Sequence, residues 1–291
     1  MGLLRDGAGA SSKHDLDRAT PLTLPVAAAI APAPYPRQCE MAIPAVGTMW
    51  RNTLQNPYLD DFRWSFPPQG ETVEARRARR FAMCSRYSWS VPSEEAIELL
   101  VRLSPLVELG AGTGYWAWMI RAAGGDIAAY DSHPPGQGRG NGWHGRAPCS
   151  FTYVARGSTE VLSKHFDRTL LLCWPPYSEQ HRPATLAAQK DHLRQCMAYK
   201  ALRAWRGDRV VYVGEWRSCT AGWAFHDLLE RRYRTVAEIS LPTWPGIVDR
   251  LSVHERLQQV WARPRDDETQ LPSPAPSPVT EPTTRIGPVG P

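Results

Sequence analysis

The sequence predicts an α/β fold: a doubly wound, mostly parallel seven-stranded sheet with helices on both faces, in a single domain. Three observations predict it. From residue 93 onward, short apolar runs without polar alternation are separated by segments of helical spacing, the pattern of a parallel sheet covered on both faces. One such run, 106–109, leads directly into a turn with three alternate glycines, Gly110, Gly112 and Gly114, and then into a helical pattern. The next run ends on an acid, Asp131.

The elements follow in order. Ser93 suits the N-cap of a helix with Glu94 and Glu95 in its first turn and Ile97, Leu100 and Val101 on its inner face. Residues 106–109 form the first strand, 116–123 a helix, and 127–130 the second strand. A third strand is expected at 151–154, and the fully apolar run 169–173 is the fourth, ending at Trp174-Pro175-Pro176-Tyr177. Leu186, Leu193, Met197, Ala201 and Trp205 give 186–205 helical spacing. Residues 209–213 read as a fifth strand, 221–231 as a helix capped by Thr220, and 236–241 and 251–254 as the last two strands. The arrangement is Rossmann-like.

The domain is expected over 46–262, with its core at 93–255. The Ala/Pro-rich stretch 1–45 and the Pro-rich stretch 263–291, which holds eight prolines, are expected to be disordered tails. Such compositions bury too little apolar area to offset the entropy of ordering. The 291 residues are 42% hydrophobic, enough for one sizeable core. No stretch reaches the ~20 apolar residues that cross a bilayer. The longest candidate, 26–36, is broken by Pro32, Pro34 and Pro36. The mixed polar opening does not resemble a secretory signal, and Asp6 stands where myristoylation needs Ser or Thr. Six cysteines without a C-x-x-C pair or zinc spacing predict free or buried thiols, no metal and a cytoplasmic location. The net charge of +5 permits nucleic-acid binding without arguing for it. Twelve tryptophans call for an account.

The Gly-rich turn carries the chemistry. Alternate glycines adopt backbone angles that other residues resist and let a ligand approach the main chain, and a helix start adds free N–H groups. A dinucleotide fingerprint would place a glycine at Tyr115, and a P-loop would need Gly-Lys-Ser or Gly-Lys-Thr. Instead Glu108-x-Gly-x-Gly-x-Gly, with Asp131 lying 21 residues after Gly110, resembles the first motif of class I S-adenosylmethionine-dependent methyltransferases. The resemblance spans about residues 85–255. Within that superfamily the chain is similar to a group of uncharacterised methyltransferase-like proteins, on four segments: Tyr87 to Glu95, Gly114 to Ala117, the Cys-Trp-Pro-Pro-Tyr of Cys173 to Tyr177, and Trp244 to Ile247.

The resemblance implies S-adenosylmethionine as cofactor, with the turn holding its methionine half and Asp131 accepting both ribose hydroxyls. The implied cofactor contacts are Glu108, Gly110, Ala111, Gly112, Gly114, Asp131, Ser132, Ser158 and Tyr87. Family members commonly carry an acid after the third strand for the adenine amino group. Here Arg156-Gly157-Ser158 stands there, which leaves adenine to backbone groups or Ser158. The reaction implied is in-line methyl transfer to a nucleophilic N, O, S or C.

Trp174-Pro175-Pro176-Tyr177 resembles the Asp/Asn-Pro-Pro-Tyr/Phe loop of amino-methyltransferases. Trp174 has a donor and no acceptor, so it cannot take the acidic or amide role. A rigid Pro-Pro could still present a carbonyl and Tyr177 could still stack on a planar target, giving an aromatic-walled pocket; alternatively the loop simply packs the domain. The carboxyl ends of the strands form the ligand rim of such sheets, which gathers Asp131, His133, Trp174, Tyr177, Glu215 and the Trp244 loop. Glu215, Tyr177 and Trp174 are the catalytic candidates. Glu215 either orients or deprotonates a nucleophile or is a solvated acid opening a loop. His133 is a base or a surface residue, and His226 suits helix packing. Tyr87 and Trp89 are expected at cofactor or substrate. Asp249 has Arg250 beside it as a partner, and Arg76, Arg77, Arg79 and Arg80 read as a solvated face with Glu71 and Glu74 alongside. The expected function is a methyltransferase for a small or planar substrate. Its alternatives are a nucleic-acid base methyltransferase and a non-catalytic cofactor-binding or interaction protein, with no membrane partner.

Overall fold

Apolar strands without alternation must be covered twice, and the sheet shows how. The computed structural model describes residues 55–64, 70–137, 142–144, 147, 149–178 and 183–257; both expected tails lie outside the described residues. The strands are β1 (Leu106–Leu109), β2 (Ile127–Asp131), β3 (Ala155–Arg156), β4 (Thr169–Cys173), β5 (Arg209–Gly214), β6 (Tyr233–Ser240) and β7 (Arg250–Arg256). They form one sheet in the order β3-β2-β1-β4-β5-β7-β6. β1 to β5 are parallel, and β7 runs antiparallel between β5 and β6. This is the Rossmann-like, mostly parallel seven-stranded architecture expected.

The helices are α1 (Pro57–Trp64), α2 (Val73–Arg86), α3 (Glu94–Arg102), α4 (Tyr115–Ala122), α5 (Leu186–Gln195), α6 (Met197–Ala204) and α7 (Trp223–Arg232). Successive strand residues point to opposite faces. Leu106, Leu171 and Val211 meet Ile97 and Leu100 of α3 and Trp116 and Ile120 of α4. Val107, Leu170 and Val210 meet Leu202 of α6 and Phe225 and Leu229 of α7 on the other side. Ser93 caps α3, its hydroxyl accepting from Ala96 N–H.

α1 belongs to the first layer. Tyr58 N–H donates to the Tyr115 hydroxyl at 3.0 Å, which donates in turn to Asn56 Oδ1 at 2.8 Å. Trp244 Nε1 donates to the Tyr58 hydroxyl at 3.2 Å. Most of the tryptophans whose burial is described serve as core: Trp116, Trp118, Trp205, Trp223 and Trp244 are buried.

Four expectations shift. The third strand is 155–156 rather than 151–154, because Phe151 N–H donates to Thr113 O and its ring packs on Tyr87 and Tyr115 instead of joining the sheet. The 186–205 helix is two helices, broken where Cys196 turns extended (ψ 105°). α7 starts at Trp223 after Gly222, because the Thr220 hydroxyl is spent on Tyr212 and the Glu215 backbone. Cys84, Cys173, Cys196 and Cys219 are free, whereas Cys149 is disulfide-bonded, against the expectation of free or buried thiols. Among the described residues no cluster of ligating side chains could hold a metal, and no helix is long and apolar enough to cross a membrane.

Candidate functional site

β1 and β4 lie side by side at the centre of the sheet, and the chain continues outward from them in opposite directions. A crevice opens at their carboxyl ends, the usual place for ligands in such sheets. The Gly-rich turn forms one wall. Gly110 and Ala111 N–H both donate to Tyr130 O, at 2.8 and 3.0 Å, which folds the turn back over β2. Gly110, Gly112 and Gly114 take φ values of +81°, +53° and +71°. A Cβ at Gly110 would stand 2.9 Å from Met197 Cε, and one at Gly112 would overlap the His144 ring. Asp131 braces the turn from below: Oδ2 accepts from Gly112 N–H at 2.9 Å and Oδ1 from His133 N–H at 2.8 Å. Each oxygen keeps a further lone pair.

The crevice encloses a cavity of about 270 Å³. Glu108, Gly110, Ala111, Asp131, Ser132 and Ser158 line it, bringing together six of the nine expected cofactor contacts. Gly112 lies under His144, and Gly114 caps α4 in the left-handed conformation. Tyr87 is elsewhere: it is buried in the first layer, stacked on Tyr58 at 4.8 Å, with its hydroxyl donating to Asp61 Oδ2 at 2.6 Å. Glu108 is 2% exposed and its Oε2 has no hydrogen-bond partner. Burial pushes its carboxyl up to about 8, with the Arg121 guanidinium opposing and Asp131 adding to the rise. A buried carboxyl with a free oxygen, glycines that clear the main chain and a braced Asp131 together fit a ligand with an ammonium at one end and vicinal hydroxyls further along.

The other wall is aromatic. Trp174 follows β4 at φ 47°, its N–H donating to Val213 O at 2.8 Å and its Nε1 to Asp249 Oδ1 at 2.8 Å. This corrects the expected Asp249–Arg250 pair; Arg250 meets Glu238 at 3.4 Å instead. Burial pushes the Asp249 carboxyl up to about 7, against the bond from Trp174. Trp89 stacks on Trp174 with ring centroids 5.6 Å apart, and Trp143 stands edge-on to Trp89. Pro175 O accepts from Ala221 N–H at 3.0 Å and Ser178 N–H donates to Ala221 O at 2.7 Å, so the Pro-Pro-Tyr loop is pinned on both sides. Tyr177, 55% exposed, stands at the mouth.

Glu215 does not reach the cavity. Its Oε1 accepts from Val248 N–H and its Oε2 from Cys219 Sγ, and it is buried. Burial opposes its charge, but the bonds from Cys219, Val248 and Ser218 outweigh this and hold the carboxyl below the usual range. Cys219 does line the cavity, and its thiol is pushed up to about 12 by burial and by Glu215. His133 is exposed at the rim, and His226 packs against Trp216 and Phe225. Glu71, just before α2, pairs with Arg76 and Arg79, but Arg80 turns inward with its Cζ 5.2 Å from the Trp174 ring and 5.6 Å from the Trp89 ring. One signal could have found it. Cys84 is the single buried residue of α2, and Arg80 lies one turn before it on the same face.

No family model matches the chain, and no curated protein matches it. Solved structures similar to it include TrmN from Thermus thermophilus, at 17% identity over 56% of this chain and 48% of that one, TM-score 0.32. The N-methyltransferase NodS from Bradyrhizobium japonicum is 12% identical over 56% of this chain and 94% of that one, TM-score 0.32. The magnesium protoporphyrin IX methyltransferase ChlM from Synechocystis, with bound S-adenosylmethionine, is 13% identical over 69% and 93%, TM-score 0.36. The chain spans about half the length of TrmN. The fold assignment rests on the sheet's own topology and not on these likenesses.

Proposed function

We propose that this chain is an S-adenosylmethionine-dependent methyltransferase acting on a small or planar acceptor. The observation that carries the reading is one cavity bordered by a left-handed glycine turn, an Asp131 hydrogen-bonded beneath it, and a buried Glu108 with an oxygen to spare. Glu108 and the 110–114 turn would hold the methionine half, Asp131 the ribose hydroxyls, and Ser158 the base. The cofactor would supply a methyl group already activated on a sulfonium.

What the chain contributes is mainly alignment. Trp174, fixed by Asp249 and by the β5 backbone, gives a rigid flat surface beside the turn. The Cys219 thiol stays protonated and adds a neutral wall. Asp131 lines the cavity and braces the turn. A mechanism in which residue 174 accepts a hydrogen from a target amine is disfavoured, because the single polar side-chain atom of Trp174 donates to Asp249.

The test is calorimetric titration of the full chain with S-adenosylmethionine and S-adenosylhomocysteine, beside an Asp131→Ala variant. Micromolar binding that the variant loses supports the reading. A folded wild type that binds neither compound overturns it.

A further inference from the structure

The stacked Trp89–Trp174 pair has a cation against it. The two indoles stack 21° from parallel with centroids 5.6 Å apart, and Trp143 stands at 80° to Trp89 as a side wall. All three line the cavity and Arg80 does not. Arg80 Cζ nevertheless lies over both rings, at 5.2 and 5.6 Å. Its Nε and Nη2 are closed to solvent and have no hydrogen-bond partner. Asp249, which itself bonds Trp174, attracts it at longer range.

A cation over an aromatic ring draws on the negative potential of the ring face. Rings already in contact with a guanidinium are poor hosts for a second cation, since the two like charges would oppose each other at close range. A neutral or negatively charged flat ring meets the opposite situation. We infer that the acceptor slot takes a flat aromatic ring that is neutral or anionic and discriminates against a cationic one, with Arg80 as the residue that sets this preference. It rests on the methyltransferase reading only in naming that ring a methyl acceptor.

Equilibrium dialysis of the full chain against three fused two-ring probes of similar size tests it: 2-naphthol, 2-naphthoate and N-methylquinolinium, each with and without S-adenosylhomocysteine. Naphthol and naphthoate are expected to bind saturably and at least about tenfold more tightly than the quinolinium, a ratio of about 1.4 kcal/mol. Trp174→Ala should weaken all three. Arg80→Gln should bring the ratio toward one, while Arg80→Lys keeps part of it. The wild-type ratio needs no variant, so a variant that fails to fold leaves the test standing. Equal or tighter binding of the quinolinium by the wild type overturns the inference, as does binding of none of the three. Graded ring binding without any S-adenosylhomocysteine binding supports the slot while overturning the proposed reaction. Cofactor binding with no charge preference does the reverse.

Discussion

Gly112 combines a left-handed backbone with the His144 ring lying where a side chain would go. Gly112→Ala should cost about 1–2 kcal/mol from backbone strain alone. It should also push His144 off the turn, and calorimetry should show at least about a tenfold loss of S-adenosylhomocysteine affinity. Glu108 supplies a pH effect. Its folded value of about 8 lies above its ordinary 4.5, so the native state holds an extra proton between those values. The stability this contributes is complete below pH 4.5 and lost as pH rises through about 8. Denaturant titrations of Glu108→Gln should therefore fall less between pH 5 and 8 than those of the wild type; an unchanged slope would remove the buried-proton assignment. These glycines and acids were legible in sequence because their spacing is local. Arg80 and Asp249 were not, because each is defined by Trp174, 94 and 75 positions away, and each has a plausible charged neighbour in sequence that it does not use.

Helix ends were legible where a side chain caps them and illegible where the same side chain had a better offer. Ser93 caps α3 as its sequence suggests. Ser93→Ala should cost about 1 kcal/mol, seen as a Tm lower by about 2–4 °C. Thr220 has the same capping chemistry, yet its hydroxyl closes the buried turn between β5 and α7. Thr220→Val should cost more than Ser93→Ala, since it leaves buried polar groups of Tyr212 and Glu215 short of a partner. If the two variants melt alike, that network contributes little. The break at Cys196 carries no glycine or proline to announce it. It sets Met197, the first residue of α6, against Gly110 and so serves the cavity rather than local propensity.

At the scale of the whole molecule, acid should loosen the second layer first. His226 and His254 are buried, and burial lowers both to about 4 from the usual 6.5. Arg217 adds to the effect at His226, Glu230 and Asp227 oppose it, and the two imidazoles repel each other when charged. Their unfolded forms bind protons that the native forms refuse, so stability drops as pH falls from 6.5 toward 4. Glu108 and Asp249 act in the opposite direction over part of that range and soften the wild-type curve. A His254→Gln variant, which can still meet Thr235 and Ser252, should lose less stability from pH 6.5 to 4 in thermal melts; an unaltered slope would show that His254 is protonated in the native state. The overall architecture was legible because apolar runs and helical spacings repeat along the chain, whereas the closure of α1 onto the sheet was not. That closure depends on Trp244 reaching Tyr58 across 186 positions, with Tyr115 as the middle stitch. For a chain made from one end, this fixes an order of events. α1 leaves the ribosome before any of the seven described strands, and the indole that bonds its Tyr58 hydroxyl follows 186 positions later. Until residue 244 has been made, the Tyr58 hydroxyl lacks its indole donor and the Phe62 ring lacks the Trp244 face it packs against.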